Sequence, residues 1–149
     1  IPGFTGTAIV GVIPSSTDSA KHSRAADITG QQLLAEGEFR KAELQFELAT
    51  KLNPQAATAW HNLGVARFRL GQFVGSLSAF NRSITLGNES GFAYSHRGAA
   101  RFALGDKSGA ELDFTTASKV ASPHERAEVD RNLTELKSLM DSGMQSGNE

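Results

Sequence analysis

The sequence predicts an all-α solenoid in which three antiparallel helix pairs are stacked and a seventh helix caps the stack. Two observations carry this prediction. Apolar residues follow helical spacing within each segment, and small and aromatic residues recur every 34 residues, a period typical of stacked repeats. The clearest columns are Gly30, Gly64 and Gly98; Gly37, Gly71 and Gly105; and Phe46, Phe80 and Phe114.

Residues 1–22 precede the repeats and differ from them in composition. They contain two prolines and three glycines, show no helical spacing and include a Ser-rich tract. Residues 5–13 are rich in Val, Ile and Thr, which favours extended backbone. We expect residues 1–22 to form an extended or disordered arm. If the apolar part of this arm is buried, it lies along a groove of this protein or along the groove of a neighbouring molecule.

The first repeat covers about residues 23–56. Its helical pattern begins near Arg24 and runs to Gly37, where a left-handed turn costs least. A second helix follows and ends before Pro54, whose ring removes a backbone donor. The second and third repeats, about 57–90 and 91–122, keep this plan, with helices expected at about 56–70, 73–86, 91–104 and 107–120.

The last predicted helix, about residues 123–140, has no partner after it. One stripe of this helix is apolar and the opposite side is charged, as a solenoid requires at its open end. The Ser- and Gly-containing tail, residues 142–149, is expected to be disordered. The apolar stripe consists of Ala127, Val129, Leu133, Leu136 and Met140.

Composition and charge narrow the function classes. With 149 residues, 39% of them hydrophobic, the chain can bury a core as one repeat domain. A formal net charge of −1 and interspersed acidic residues argue against nucleic-acid binding, and no apolar run is long enough to cross a membrane. The first residue is Ile, so we expect a trimmed chain, and the sequence leaves open whether a signal peptide or a membrane anchor preceded it. The cellular compartment therefore stays open.

The columns carry a family resemblance. The chain resembles a tetratricopeptide-repeat (TPR) protein, whose pattern has a large residue, a Leu-Gly pair, then Gly, an aromatic, Ala, an aromatic, Ala and Pro. The resemblance covers three repeats and a C-terminal capping helix, about residues 23–140. The matches are Gly30, Gly37, Phe39, Ala42, Phe46, Ala49 and Pro54; Trp60, Leu63, Gly64, Gly71, Phe73 and Phe80; and Tyr94, Gly98, Gly105, Ala110, Phe114 and Ala117.

Several positions depart from the family pattern. Ser76 and Ser83 stand in the Ala columns, Arg97 replaces the Leu of the Leu-Gly pair, and Lys107 replaces an aromatic residue. The resemblance still implies a right-handed superhelical solenoid with the first helix of each repeat on the concave side. It also implies a non-catalytic scaffold that binds a peptide segment of a partner protein in that groove.

The residues expected to line this groove come from the first helices. An extended peptide would find a backbone donor and acceptor in Asn62, cations in Arg24 and Arg69, and apolar contacts at Val65 and Phe92. The expected set is Arg24, Asp27, Ile28 and Gln31; Thr58, His61, Asn62, Val65 and Arg69; and Phe92, Ser95, His96 and Ala99.

One ligand class of the family is not expected here. Family members that hold the carboxylate of chaperone tails use a clamp of Lys, Asn, Asn, Lys and Arg. Only Asn62 matches that clamp, and Asp27 would repel the carboxylate. The corresponding positions hold Asp27, Gln31, Asn62, Phe92 and His96.

Other readings of the sequence have less support. His61 and His96 with Asp27 lack the short spacing of zinc motifs, no catalytic motif is present, and no cofactor is expected. The cations Arg67, Arg69, Arg97 and Arg101 are expected to pair with acidic residues or to face solvent. The alternative function is a self-associating module, in which the N-terminal arm or the capping helix makes a homo-oligomer.

Overall fold

The structure is a computed structural model that describes residues 15–145, with side chains described to residue 143. Within this range the chain forms seven α-helices and no strand. The helices are α1 (Ser16–Ala35), α2 (Phe39–Leu52), α3 (Ala57–Arg69), α4 (Phe73–Thr85), α5 (Gly91–Ala103), α6 (Lys107–Val120) and α7 (Pro123–Gln145).

Consecutive helices pack as three pairs. Helix α1 packs on α2, α3 on α4 and α5 on α6, while α2 contacts α3 and α4 contacts α5 to join the pairs. Helix α7 covers the last pair by contacting both α5 and α6. This arrangement confirms the predicted all-α solenoid with a seventh capping helix.

A glycine turns the chain between the two helices of each pair. The φ angle is 81° at Gly37, 74° at Gly71 and 85° at Gly105, a region that only a residue without a Cβ adopts at low cost. After Gly37 the N–H of Glu38 donates to the carbonyl of Leu33 at 2.9 Å, which closes the turn as a Schellman motif. The column of Gly37, Gly71 and Gly105 therefore fixes the sharp reversal inside each repeat.

A second glycine column makes room for a buried ring. A Cβ on Gly64 would lie 2.6 Å from Cε1 of Phe80, and one on Gly30 would lie 2.5 Å from Cε1 of Phe46. Both rings are buried, and Phe46 also belongs to the core cluster that contains Leu63 of the next repeat. Each ring thus fills the space within its own pair, and Phe46 also connects that pair to its neighbour.

Serines in the Ala columns tie the two helices of the second repeat together. The Oγ of Ser76 donates to the carbonyl of Gly64 at 2.7 Å, and the Oγ of Ser83 donates to the carbonyl of Ala57 at 2.7 Å. Both serines are fully buried. Because each hydroxyl is hydrogen-bonded, burial does not leave an unsatisfied polar group.

Arginines of the first helices pair with acids of the second helices. Arg97 binds Asp113 at 2.7 Å and Arg101 binds the same carboxylate at 3.0 Å. Arg67 lies 3.0 Å from Glu47 and 3.4 Å from Glu43. The expectation that these cations pair with acidic residues is confirmed for all three.

The predicted start of the helical region is wrong. Helix α1 begins at Ser16, well before the expected start near Arg24, so the end of the predicted 1–22 arm is helical. The Oγ of Ser15 accepts a hydrogen bond from the N–H of Asp18 at 3.2 Å and donates to its carboxylate at 2.8 Å. This cap makes the Ser-rich tract a helix start. The rest of the arm lies outside the described residues.

The capping helix α7 begins with a second capping arrangement and ends later than predicted. The Glu125 carboxylate accepts from the N–H of Ser122 at 2.9 Å and from that of Phe92 at 3.2 Å. The Oγ of Ser122 also donates to this carboxylate at 2.7 Å. Burial opposes ionisation of Glu125, but the hydrogen bond from the Ser122 hydroxyl and the two from backbone N–H groups outweigh it and lower its pKa. Helix α7 runs to Gln145, so the tail predicted to be disordered from residue 142 begins as helix. No helix in the described part of the chain is long and apolar enough to cross a membrane.

Candidate functional site

A cavity of about 430 Å³ opens between α3, α5 and α7. These are the first helices of the second and third repeats together with the capping helix. The side formed by the first helices is where the family resemblance places its groove. We call this cavity, together with the residues that line it, the α7 groove.

The floor of the α7 groove is apolar and follows the repeat. Helix α3 contributes Val65 and Phe68, and α5 contributes their repeat equivalents Ala99 and Phe102. Phe80 lies below them as part of the core. Equivalent positions on successive helices therefore build one continuous apolar surface.

Helix α7 supplies the opposite wall. Glu128, Asn132, Glu135 and Leu139 line the cavity, at successive spacings of four, three and four that place them on one face of the helix. Leu139 is 49% exposed, and the side chain of Glu128 is 48% exposed. This wall thus presents two carboxylates and one accessible apolar side chain to the groove.

Two histidines connect the core to this wall. The Nδ1 of His96 lies 3.1 Å from Nε2 of His61, and the Nε2 of His96 lies 3.8 Å from a carboxylate oxygen of Glu128. We assign the tautomers from these contacts: His61 donates from Nε2 to His96, and His96 directs its Nε2–H toward Glu128. The Nδ1 of His61, which has no partner among the described residues, is then a bare acceptor.

Burial keeps both imidazoles neutral. Desolvation first, and the nearby His96 second, lower the pKa of His61 to about 3. Burial likewise lowers the pKa of His96, although the Glu128 carboxylate acts in the opposite direction. At neutral pH the pair contributes hydrogen bonding and ring packing, and it supplies no positive charge to the groove.

Four of the predicted groove residues line this cavity: Val65, Arg69, His96 and Ala99. Arg69 is exposed at the α3 side, where its guanidinium carbon lies 4.4 Å from the ring centroid of Phe39. This cation–π contact holds the arginine at the edge of the groove.

A second group of predicted residues forms a polar link between α1 and α3. The Nδ2 of Asn62 donates to Asp27 at 2.9 Å, and the Nε2 of Gln31 donates to the same carboxylate at 2.8 Å. The Asn62 amide, predicted to bind a peptide backbone, is therefore already engaged within the protein. Arg24, Ile28 and Thr58 are exposed and, like Asp27, Gln31 and Asn62, lie outside the cavity lining.

The remaining predicted residues are set behind the cavity. Ser95 is fully buried and accepts a hydrogen bond from Asn132 at 3.0 Å, so it positions a wall residue. Phe92 stacks on His96 with ring centroids 6.0 Å apart and a 9° angle between the planes. Neither Phe92, Ser95 nor His61 lines the cavity.

Sequence reasoning missed the aromatic floor and the contribution of α7. Phe68 and Phe102 occupy one repeat column, three positions after Val65 and Ala99, so the same helical face could have included them. The charged side of α7 was expected to face water. In the structure Glu128 and Glu135 are exposed, as expected, and they also line the groove.

The described residues offer no evident metal site. No group of three or more His, Cys, Asp or Glu side chains in residues 15–143 has the arrangement of a metal centre. His61 and His96 are in contact with each other, while Asp27 is bound to Asn62 and Gln31. These three residues thus have other partners within the fold.

Comparison with known proteins decides the fold. The first TPR domain of human RPAP3 superposes with a TM-score of 0.75 at 24% identity, over 85% of this chain and 98% of that domain. This chain folds as a TPR domain. The yeast Sti1 TPR2B domain, solved with an Hsp70 peptide, gives a TM-score of 0.72 at 17% identity over 80% of this chain and 98% of that one.

Sequence comparison adds one short match. Superkiller protein 3 of Schizosaccharomyces pombe is 42% identical over 48 residues, which is 32% of this chain and 4% of that protein. The match therefore spans a small fraction of the length of this relative. No protein-family model matches the sequence.

Proposed function

We propose that this TPR domain is a non-catalytic protein-interaction module that holds a segment of a partner protein in the α7 groove. The observation that carries the proposal is the accessible apolar surface of the groove. Phe68 and Phe102 are partly exposed on its floor, and about half of Leu139 is exposed on its wall. Covering such side chains with an apolar partner is favourable, at about 25 cal/mol per Å² removed from water.

Structures with the same fold support this use of the groove. The first TPR domain of Spaghetti (RPAP3), with a TM-score of 0.73 and 23% identity over 82% of this chain, is bound to the HSP90 peptide SRMEEVD. Protein segments are thus ligands of other domains with this architecture. The charges favour a protein partner over a nucleic acid, because Arg67, Arg97 and Arg101 are all paired with acids.

Selection from a random peptide library tests the proposal. Peptides enriched on the intact chain are expected to lose at least about tenfold in affinity on a Leu139→Ser variant. A Val74→Ser variant is the matched control, because Val74 is 73% exposed on α4, outside the cavity. Equal loss on both variants, or loss on the control alone, would place the binding surface elsewhere.

Self-association through the capping helix is the second candidate. The exposure of Leu139 favours it, since two copies of α7 could cover this side chain mutually. The other form of this candidate uses the N-terminal arm. Light scattering coupled to size-exclusion chromatography, on the intact chain, on a form without residues 1–14 and on the Leu139→Ser variant, separates these cases. A monomer in all three forms removes the second candidate.

A further inference from the structure

The wall that α7 contributes to the α7 groove carries two carboxylates, Glu128 and Glu135. In the part of the chain with described side chains, neither Glu128 nor Glu135 forms an ion pair with a lysine or arginine. A carboxylate oxygen of Glu128 lies 3.8 Å from His96, and burial keeps that imidazole neutral. Two carboxylates are therefore available to a ligand.

The spacing of these carboxylates matches a short protein segment. Glu128 and Glu135 are seven residues apart on one helix, which corresponds to about 10 Å along its axis. An extended peptide rises about 3.3 Å per residue, so about three residues span this distance. Between the two carboxylates, Asn132 is anchored by its hydrogen bond to Ser95.

The opposite edge of the groove carries the other charge. Arg69 lines the cavity from α3 and is held over Phe39, whereas the acidic residues come from α7. In the described structure no carboxylate is ion-paired with Arg69. The groove is consequently polarised across its width, with the larger number of charges on the acidic side.

We propose that the occupant of the α7 groove is a partner segment with apolar anchors flanked by lysine or arginine. This inference rests on the proposed function and specifies its ligand. The apolar anchors cover Phe68, Phe102 and Leu139, while the basic side chains face Glu128 and Glu135. An acidic, carboxylate-terminated tail is disfavoured, because it would place like charges against the α7 wall.

A defined peptide array provides the test. Each fluorescent peptide has blocked termini and a Leu-Ser-Leu core, flanked on both sides by Lys, by Ser or by Glu. Fluorescence anisotropy at low salt should show the Lys peptide binding about tenfold tighter than the Glu peptide. High salt should reduce this ratio, because it screens exposed charges.

Charge-neutral variants locate the effect. A Glu128→Gln/Glu135→Gln double variant should bring the Lys-to-Glu affinity ratio to within about twofold. The matched control is Asp130→Asn/Asp141→Asn, which removes two charges from the opposite side of the same helix and should keep the ratio. Thermal melting of both double variants verifies that they are folded.

The outcomes separate the inference from the proposed function. If the Glu peptide binds as tightly as the Lys peptide, and Leu139→Ser weakens both, the inference is overturned and the groove remains a protein-binding site. If Leu139→Ser weakens neither peptide, or if no peptide of the array binds, the proposed function is contradicted and the inference with it. An unchanged ratio in the Glu128→Gln/Glu135→Gln variant also overturns the inference.

Discussion

Arg97 donates two hydrogen bonds to Asp113, at 2.9 Å from Nε and 2.7 Å from Nη2, in the place where the preceding repeat has Leu63 and Ala79. Leu63 and Ala79 belong to one apolar core cluster. The third repeat thus has, in place of an apolar pair, an ion pair whose Asp113 carboxylate is buried. Arg97 and Asp113 are needed together, because an unpaired buried charge is costly.

This exchange predicts a non-additive pair of mutations. Arg97→Leu alone should lower the free energy of unfolding by about 3 kcal/mol, since Asp113 keeps only Arg101 as an ionic partner. Arg97→Leu/Asp113→Ala recreates the pair of the second repeat and should be more stable than Arg97→Leu, although Arg101 then keeps only Asp106, at 4.0 Å, as an acidic partner. Urea unfolding of both variants measures the coupling. A double variant less stable than Arg97→Leu would refute the equivalence.

The glycine that faces Phe80 gives a packing prediction. Gly64→Ala should destabilise by about 1 to 3 kcal/mol, because the new Cβ would lie 2.6 Å from the ring. Alanine's higher helix propensity would offset about 1 kcal/mol at most. Gly75→Ala is the control, since its nearest neighbour is the flexible Arg67 side chain at 3.3 Å. Thermal or urea unfolding showing Gly64→Ala as stable as the wild type would contradict close packing here.

The buried His61 predicts acid sensitivity. In the unfolded chain the His61 imidazole takes up a proton below its ordinary pKa of 6.5. In the folded protein it stays neutral down to about pH 3. The unfolded state therefore binds more protons in this window, and stability falls as the pH is lowered, by up to about 1.4 kcal/mol per pH unit. His96 contributes in the same direction, opposed by Glu128.

Urea unfolding at about pH 7.5 and about pH 5.5 measures this contribution. In His61→Gln the loss of stability between the two conditions should be clearly smaller than in the wild type. The control is His22→Gln, which changes an exposed histidine of α1. It should leave the loss of stability between the two pH values unchanged. An identical pH dependence in both variants would show that His61 titrates normally.

The link between α1 and α3 reverses the expectation for Asn62. Because its amide donates to Asp27, Asn62→Ala should cost about 0.5 to 1.5 kcal/mol of stability. Peptide affinity at the α7 groove should change less than about twofold, since Asn62 does not line the cavity. Paired unfolding and anisotropy measurements test this. A strong loss of affinity at unchanged stability would restore the groove position predicted from sequence.

The repeat architecture was predictable because its signals are local and occur three times. Gly37 allows a left-handed turn and Gly64 leaves room for a buried ring. Glycines of both kinds recur with the 34-residue period, so the sequence alone reveals them. The start of α1 was missed for a local reason as well. Ser15 and Asp18 have the spacing of a helix cap, but the surrounding Ser-rich tract also fits a linker.

The groove was less predictable because it depends on contacts between repeats. Whether Asn62 meets a ligand or Asp27 is decided by the distance between α1 and α3, which a single helix does not specify. The role of Glu128 similarly depends on how α7 lies against α5. A helical pattern defines the face of each helix, and the packing of the stack determines what that face meets.

Photo-crosslinking in an extract of the native source tests the central claim most directly. A photoreactive amino acid is placed either at Leu139, on the α7 groove, or at Val74, which is exposed on α4 away from it. Mass spectrometry then identifies the crosslinked partner segment. We expect crosslinking from Leu139 to capture one recurring apolar segment flanked by lysine or arginine, and we expect that segment to be absent from the Val74 crosslinks. Capture of the same segment from Val74 and not from Leu139 would contradict it.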